Sequence, residues 1–231
     1  MSARRFVVEL VARVPLTRGV HQLRFVSLRP FHWLSGQHLV VVRGQGRELL
    51  LPYSIASAYD PRKPGEFELA VAVGAGADVM DGLPLGGELE VLEPAGEFTW
   101  QASPLPAALL VGAGTGIAPL RALIQAELQR ESTTRVLLLA GHREAAHILF
   151  GDEFARLAAE HPRFGFLPTL TGVGDGWSGL RGRVQAQLSE AVRSLGPLDA
   201  YVCGRADMVR EVSAQLQREG VPAARVRVEG Y

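Results

Sequence analysis

The chain has 231 residues, of which 47% are hydrophobic, and its 24 basic residues balance its 24 acidic residues. Low hydrophobicity combined with high net charge, which is typical of disordered chains, is therefore excluded. Zero net charge provides no general field to attract nucleic acid or an anionic membrane, so neither is an expected partner. A single cysteine excludes an internal disulfide and a cysteine-ligated iron–sulfur cluster within the chain.

No close-spaced set of histidines and carboxylates indicates a metal site, so no metal is expected. The longest uncharged stretch, residues 100–120, is interrupted by prolines and glycines, which is not typical of a membrane span. Residues 1–10 lack the apolar core of a secretory signal. These features predict a soluble, cytoplasmic protein.

Short bursts of β-branched and aromatic residues characterise the first part of the chain, residues 1–102. Glycine and proline separate the bursts about every 10–15 residues, which predicts an antiparallel β-barrel. Representative bursts lie at residues 6–8, 23–26, 39–42, 67–71 and 88–91. Within this part only residues 78–83 are expected to form a short helix.

The hydrophobic period changes in residues 103–231. An apolar run at residues 108–111 is typical of a buried parallel strand. Helical spacing follows it, with apolar side chains at Ile117, Leu120, Ile124 and Leu128. Because such runs and stripes then alternate to a last strand at Arg225–Val228, a doubly wound parallel α/β sheet is expected. The predicted domains are residues 1–102 and 103–231.

A glycine-rich loop, with Gly112, Gly114 and Gly116, follows the first strand of the second part. Glycines allow the backbone to approach an anion, and the free N–H groups at the following helix start favour a pyrophosphate. The common dinucleotide fingerprint would need glycine where this chain has Ile117. Two alternatives stay open: a tight turn without a ligand, and a loop that holds the nucleotide part of S-adenosylmethionine.

Three motifs occur in an order and spacing that resemble the ferredoxin–NADP reductase family. They are Pro52-Tyr53-Ser54, Gly114-Thr115-Gly116-Ile117-Ala118-Pro119, and Cys203-Gly204 ahead of Met208. The ending Glu229-Gly230-Tyr231 also matches, so the resemblance covers essentially the whole chain. It implies a flavin-binding barrel followed by a nucleotide-binding α/β domain, with FAD and NAD(P)H as cofactors.

The resemblance also implies roles for individual residues. Pro52 and Tyr53 would lie against the flavin, with the Tyr53 ring stacked on it, and the Ser54 hydroxyl would bond the flavin N5 edge. Cys203 and Gly204 would lie beside the nicotinamide, where Cys203 positions the ring. Ser54 and Cys203 are therefore the predicted catalytic residues. Ordinary packing of a buried tyrosine and a buried cysteine is the alternative.

Two departures from the family affect the predicted pyrophosphate site of the flavin. Leu51 stands where the family has an arginine, which removes a charge-assisted contact. The loop with Gly74 and Gly76 lacks the family's serine, although its backbone N–H groups are still predicted to bind the cofactor. The candidates to replace the missing charge are Arg43, Arg47 and Arg62. Two hypotheses follow: the flavin is held weakly and exchanges like a substrate, or a partner subunit completes the site.

Three further residues are predicted to contact the pyridine nucleotide or the flavin. Thr115 is expected to bond the nicotinamide or the pyrophosphate. Arg143 would pair with the 2′-phosphate of NADPH, whereas Glu144 would accept from the free 2′-hydroxyl of NADH, so the nucleotide preference stays open. Tyr231 is predicted either to shield the flavin and yield to nicotinamide or to pack in a groove.

The predicted function is that of an NAD(P)H-dependent flavoprotein reductase that passes hydride to flavin and electrons to an external acceptor. A ferredoxin-like redox protein, an oxygenase component and free flavin are the candidate acceptors. Two alternatives stay open: an electron-transfer subunit that works only inside a complex, and a degenerate nucleotide-binding module that regulates a partner.

Overall fold

The chain folds into two six-stranded β-sheets, one antiparallel and one parallel. A computed structural model describes residues 4–44, 49–73, 80, 82–102, 104–172 and 176–231. The antiparallel sheet contains β1 (Arg5–Thr17), β2 (Val20–Val26), β3 (His38–Arg43), β4 (Leu49–Ser54), β5 (Glu66–Ala72) and β6 (Glu88–Ala95). The parallel sheet contains β7 (Ala107–Ala113), β8 (Arg135–His142), β9 (Phe164–Leu170), β10 (Leu180–Arg181), β11 (Asp199–Gly204) and β12 (Val226–Gly230). The α-helices in the described residues are α1 (Ile117–Leu128), α2 (Gly151–Glu160), α3 (Leu188–Leu195) and α4 (Ala206–Arg218).

The antiparallel sheet has the strand order β4-β3-β6-β1-β2-β5 and curls around its own apolar core. Along β1 the side chains alternate, because Phe6, Val8 and Leu10 are buried while the residues between them are exposed. Just after β4, Ile55 bridges Leu69 of β5, which brings the two edge strands together. The sheet is thereby closed into a barrel, as the sequence predicts.

The parallel sheet has the strand order β10-β9-β8-β7-β11-β12. Helices α1 and α2 cover one face, where Leu120 and Phe154 are buried. Helices α3 and α4 cover the other face, where Leu188 and Val212 are buried. Helices on both faces explain why the strands have nearly continuous apolar runs, and the predicted doubly wound sheet is confirmed.

The strand order reverses between β7 and β11, because the chain leaves β7 toward β8 and leaves β11 toward β12. Ligands of open α/β sheets bind at such a reversal, beyond the carboxyl ends of the strands. The glycine loop lies there, and Gly116 packs so closely on β11 that a Cβ atom would overlap the carbonyl oxygen of Cys203. The sequence places glycine at the position where no larger residue fits.

A buried ion network joins the barrel to the parallel sheet. Arg121 of α1 donates to Glu68 of β5 at 2.6 Å, to Glu153 of α2 at 2.7 Å and to the carbonyl oxygen of Ala56 at 2.9 Å. The guanidinium also lies 4.5 Å from the ring centre of Phe150. Because removal of one partner would leave buried charge uncompensated, this network holds the two sheets in one arrangement.

Two local predictions differ from the structure. Of the predicted helix at residues 78–83, Met80 and residues 82–83 form turn and irregular structure, and the other positions lie outside the described residues. The last strand begins at Val226, one residue later than predicted, and continues to Gly230. No helix within the described part of the chain is long and apolar enough to cross a membrane.

Candidate functional site

A cleft of about 880 Å³ opens between the barrel and the parallel sheet. Pro52, Tyr53 and Ser54, at the end of β4, form its barrel wall. Residues 229–231, at the end of β12, form the opposite wall, and residues 70–72 add an apolar surface. The volume lies within the range of pockets that bind cofactors. We call this space the first cleft.

Ser54 and Glu229 form the polar centre of the first cleft. The Ser54 hydroxyl donates to Oε1 of Glu229 at 2.9 Å, although the two residues are 175 positions apart. Burial raises the pKa of Glu229, and the bond from Ser54 and the nearby His38 oppose that rise only in part. The structure thus places a carboxyl group with a raised pKa directly against the Ser54 hydroxyl.

Cys203 is buried next to this polar centre and does not line the cleft. It is aligned with Glu229 in the parallel register of β11 and β12 and is 1% exposed. Burial, with a smaller contribution from Glu229, raises the pKa of its thiol. A protonated, buried thiol is a packing group and not a nucleophile.

The Tyr231 hydroxyl rests on the glycine loop. Its oxygen accepts a hydrogen bond from the backbone N–H of Gly116 at 3.2 Å and one from Thr115 Oγ1 at 3.1 Å. It also lies 3.4 Å from the carbonyl oxygen of Ala113, to which it donates. Gly114, with a φ of 56°, adopts the left-handed conformation that this tight loop requires. The loop therefore already binds an oxygen atom.

A second cleft, of about 840 Å³, lies along the carboxyl ends of the parallel strands. Gly114 lies at its inner end, Arg143 follows β8, Thr171 follows β9 and Arg183 follows β10. The turn between β1 and β2, residues 17–20, forms the opposite wall. Since Tyr231 and Thr115 line the first cleft and Gly114 lines the second, the two clefts meet at the glycine loop.

The structure brings most of the predicted site residues together at the two clefts. The first cleft contains Pro52, Tyr53, Ser54, Thr115 and Tyr231, and the second contains Gly114 and Arg143. Gly112 and Cys203 are buried beneath them and line neither cleft. Gly204, with a φ of 151°, packs against Met208 and the backbone of Ala113.

The remaining predictions concern the flavin pyrophosphate and the nucleotide ribose. Gly74 and Gly76 lie outside the described residues, as does Arg47. Leu51 is half-buried in β4, two positions before Tyr53 and so on the same side of the strand. Glu144 is exposed and does not line the second cleft.

The sequence interpretation gave Glu229 no role, although the residue belongs to the family-like ending of the chain. Its contact with Ser54 depends on how β12 of the parallel sheet lies against β4 of the barrel. A motif shows which residues are present, and it does not show which of them meet across two sheets.

The residues of the two clefts fit a flavin and a pyridine nucleotide. In the first cleft an aromatic ring, a hydroxyl and an apolar surface converge on a space large enough for a planar cofactor. Where the two clefts meet, the tightly packed Gly116 and the oxygen-binding loop form a cradle that a side chain would fill. Such a cradle at the start of α1 is suited to a phosphate or a carboxamide oxygen.

Comparison with known proteins agrees with this assignment. The family model described as "Oxidoreductase NAD-binding domain" matches residues 110–214. Ferredoxin–NADP reductase B of Sorangium cellulosum is 36% identical over an alignment of 247 positions that covers 100% of this chain and 99% of the relative. The NAD(P)H-flavin reductase of Vibrio harveyi is 26% identical and covers 94% of each chain. The crystal structure of the Amycolatopsis cytochrome P450 reductase GcoB matches with a TM-score of 0.87 and 26% identity over 98% of this chain and 69% of that chain.

A barrel joined to a nucleotide-binding sheet, with a cleft at their junction, defines an NAD(P)H-dependent flavoprotein reductase. It uses FAD and NAD(P)H and transfers electrons to an external acceptor. The chain belongs to the ferredoxin–NADP reductase family.

Proposed function

We propose that the acceptor is a separate redox protein, either a ferredoxin-like protein or the oxygenase component of a multicomponent system. The meeting of the two clefts at the glycine loop supports electron transfer from nucleotide to flavin within this chain, because it allows the two cofactors to approach each other. The chain has one cysteine, so it cannot hold a cysteine-ligated cluster of its own. A cytoplasmic location remains a prediction from the sequence.

In this proposal residues 1–102 hold the flavin. Tyr53 offers its aromatic face to the flavin ring with Pro52 beside it, and Ser54 presents its hydroxyl to the N5 edge. When bound, FAD accepts two electrons from NAD(P)H and passes them to the acceptor. Glu229 accepts the hydrogen bond of the Ser54 hydroxyl and so keeps this hydroxyl in one orientation.

Residues 103–231 hold the pyridine nucleotide in the same proposal. Gly112, Gly114 and Gly116 let the backbone approach the ligand, and the Thr115 hydroxyl and the Gly116 N–H bind a ligand oxygen. The Tyr231 side chain must then move, because its hydroxyl already uses both donors.

Arg143 faces the nucleotide from the end of β8 in this arrangement. Cys203 acts as a positioning residue, because it pairs with Glu229 across β11 and β12 and directly precedes Gly204. Orientation and exclusion of water are thus the tasks of the protein, while the redox chemistry belongs to the cofactors.

Leu51 favours a second candidate, in which free flavin is the acceptor or the flavin itself exchanges like a substrate. The side chain lies on the Tyr53 side of β4, and leucine provides no charge for a pyrophosphate. Similarity to the Vibrio harveyi NAD(P)H-flavin reductase supports this candidate. A partner subunit that completes the flavin site is the other explanation of Leu51.

The test begins with the purified chain, its bound FAD and the dissociation constant of that FAD. NADH and NADPH are then mixed anaerobically with the protein in a stopped-flow instrument, and ferredoxin or free FMN is added to the reduced protein. We expect either nucleotide to bleach the flavin absorbance and ferredoxin to restore it.

Each other outcome identifies an alternative. Absorbance that does not change would support the regulatory module, and activity that appears only with a copurified second chain would support the subunit. Reoxidation by FMN alone would support a flavin reductase. Tight, stoichiometric FAD in the isolated chain would overturn both explanations of Leu51.

A further inference from the structure

A third and smaller pocket lies apart from both clefts. Its volume is about 280 Å³, compared with about 880 and about 840 Å³ for the clefts, so it is too small for a flavin or a pyridine nucleotide. The glycine loop precedes α1, whereas this pocket includes Arg130, just beyond the other end of α1. A helix of 12 residues is about 18 Å long, and this length separates the pocket from the glycine loop.

Three aromatic side chains line this pocket, Trp33 and Tyr59 of the barrel and Trp100 of the segment between the two sheets. We call it the aromatic pocket. The ring centres of Trp33 and Tyr59 are 5.0 Å apart in an edge-to-face arrangement. The indole N–H of Trp33 donates to the carbonyl oxygen of Ser57 at 3.0 Å. That of Trp100 donates to the carbonyl oxygen of Leu123, also at 3.0 Å. Because both N–H groups are already bonded, the indoles offer the pocket carbon surface, which suits a planar apolar ring.

The polar side chains of the aromatic pocket still have hydrogen-bonding capacity. The hydroxyls of Ser35, Tyr59 and Thr99 form no hydrogen bond within the part of the chain that the structure describes. A hydroxyl can donate or accept, and the guanidinium of Arg130 can only donate. An apolar pocket with a few such polar groups is typical of a small-molecule site, and these groups match a ligand that accepts hydrogen bonds.

Arg130 gives the aromatic pocket a positive charge. Its guanidinium lies 3.6 Å from Glu127, and its side chain is 63% exposed, whereas that of Glu127 is 5% exposed. Glu127 also pairs with Arg163 at 3.4 Å. Two guanidinium groups thus share one carboxylate, so one positive charge is left over, and the exposed Arg130 is the group that can bring it to a ligand.

We propose that the aromatic pocket binds a small aromatic carboxylate, with its ring among Trp33, Tyr59 and Trp100 and its carboxylate on Arg130. Aromatic rings gain from edge-to-face and offset contacts with one another, and a guanidinium matches a carboxylate by paired, charge-assisted hydrogen bonds. The pocket shares no lining residue with either cleft, so the ligand binds together with flavin and pyridine nucleotide and does not compete with them.

The test titrates the purified protein with benzoate and with benzyl alcohol, its neutral analogue, by calorimetry, which needs no catalytic turnover. Benzoate is expected to bind with a dissociation constant of about 1 mM or below. Benzyl alcohol should bind about tenfold more weakly, because it lacks the charge that pairs with Arg130. Arg130→Ala should weaken benzoate about tenfold and change benzyl alcohol less than about twofold. Ala126→Phe, which fills the pocket from α1, should abolish binding of both compounds.

Arg156→Ala is the matched control, since Arg156 is exposed on α2, pairs with Glu160 and does not line the aromatic pocket. It should leave the affinity for benzoate unchanged. No binding of benzoate up to about 10 mM would overturn the proposal, and so would an unaltered affinity in Arg130→Ala. Loss of benzoate binding in the presence of saturating NADP⁺ or FAD would also overturn it, because benzoate would then occupy a cofactor cleft.

Discussion

The two clefts of this protein differ in the polar and charged groups that line them. The first cleft has an apolar surface at residues 70–72, and two of its polar groups, Ser54 and Glu229, are already bonded to each other across the two sheets. In the second cleft Arg18 and Arg183 are exposed and lack described partners. We therefore expect the proposed flavin ring to bind by shape and preformed contacts, and the phosphates of the proposed nucleotide to bind by charge. We therefore expect ligand binding in the first cleft to depend most on the rigidity of its walls, and ligand binding in the second cleft to depend most on ionic strength.

Both clefts depend on the fixed relation between the sheets, so loss of the Arg121 network should have the largest effect. Arg121→Met leaves Glu68 and Glu153 without their cation and should lower the free energy of unfolding by about 3 kcal/mol. Urea denaturation measures this. Arg156→Met, which breaks an exposed pair, should cost at most about 0.5 kcal/mol. A loss below about 1 kcal/mol for Arg121→Met would show that other contacts hold the sheets together.

Gly116→Ala should distinguish the two clefts, because it is expected to affect the pyridine nucleotide far more than the flavin. The new methyl group would overlap the Cys203 carbonyl oxygen, so the glycine loop must shift away from β11. We expect kcat/KM for NAD(P)H to fall about a hundredfold, because a small misplacement of the nucleotide is costly. FAD affinity should change less than about threefold. Gly176→Ala is the control, because the added Cβ atom would meet no atom within 4 Å beyond the adjacent residues. This variant should resemble the unsubstituted protein.

Salt should act on the second cleft far more than on the first. Raising the ionic strength from about 0.1 to about 1 M shortens the screening length from about 10 to about 3 Å. The dissociation constant of the pyridine nucleotide should rise about tenfold, while that of the flavin should change less than about threefold. Fluorescence titration at both ionic strengths measures the two constants. If salt changed both dissociation constants equally, the second cleft would not depend on charge more than the first.

Ser54→Ala tests the hydrogen bond between Ser54 and Glu229 in the first cleft, through the pH dependence of the free energy of unfolding. Burial raises the pKa of Glu229 above its ordinary 4.5, so the folded state binds a proton more tightly than the unfolded state. Glu229 therefore contributes to the free energy of unfolding below pH 4.5, and this contribution is lost as the pH rises through the higher pKa of the folded state. Because Ser54→Ala removes a hydrogen bond that lowers this pKa, the pKa should rise further. The decrease in the free energy of unfolding with rising pH should then be larger by about 1 kcal/mol.

Urea denaturation between pH 4 and 9 measures the effect of Ser54→Ala. Glu229→Gln removes the titrating group and should flatten this part of the profile in both backgrounds. Identical profiles for Ser54→Ala and the unsubstituted protein would show that the contact does not influence the carboxyl group.

Tyr231→Phe should have the smallest effect and concerns the place where the clefts meet. It removes the hydroxyl that occupies the Gly116 N–H and the Thr115 hydroxyl and leaves the ring in place. The pyridine nucleotide should then bind about threefold more tightly, since it no longer competes for these donors. Weaker binding would indicate that the hydroxyl assists the nucleotide.

The sequence by itself determined both sheets and the glycine loop. Alternation along β1, the apolar run of β7 and the helical stripe from Ile117 are local patterns, and each element buries its own apolar side. Gly114 is equally local, because its left-handed backbone favours glycine. Gly116, in contrast, is required by a tertiary contact, the close approach of the Cys203 carbonyl oxygen on β11. The short helix expected at residues 78–83 rested on a weak pattern, and the described positions there are not helical.

Only the tertiary structure decided which side chains meet. Glu229 reaches Ser54, Arg121 reaches Glu68, and Arg18 shares a cleft with Arg143, each across a junction between the barrel and the parallel sheet. Cys203, predicted beside the nicotinamide, is buried and lies beside Glu229 on the neighbouring strand. Periodicity specifies which side of an element is buried, but the packing of one sheet against another depends on contacts between residues far apart in the chain, which no local pattern encodes.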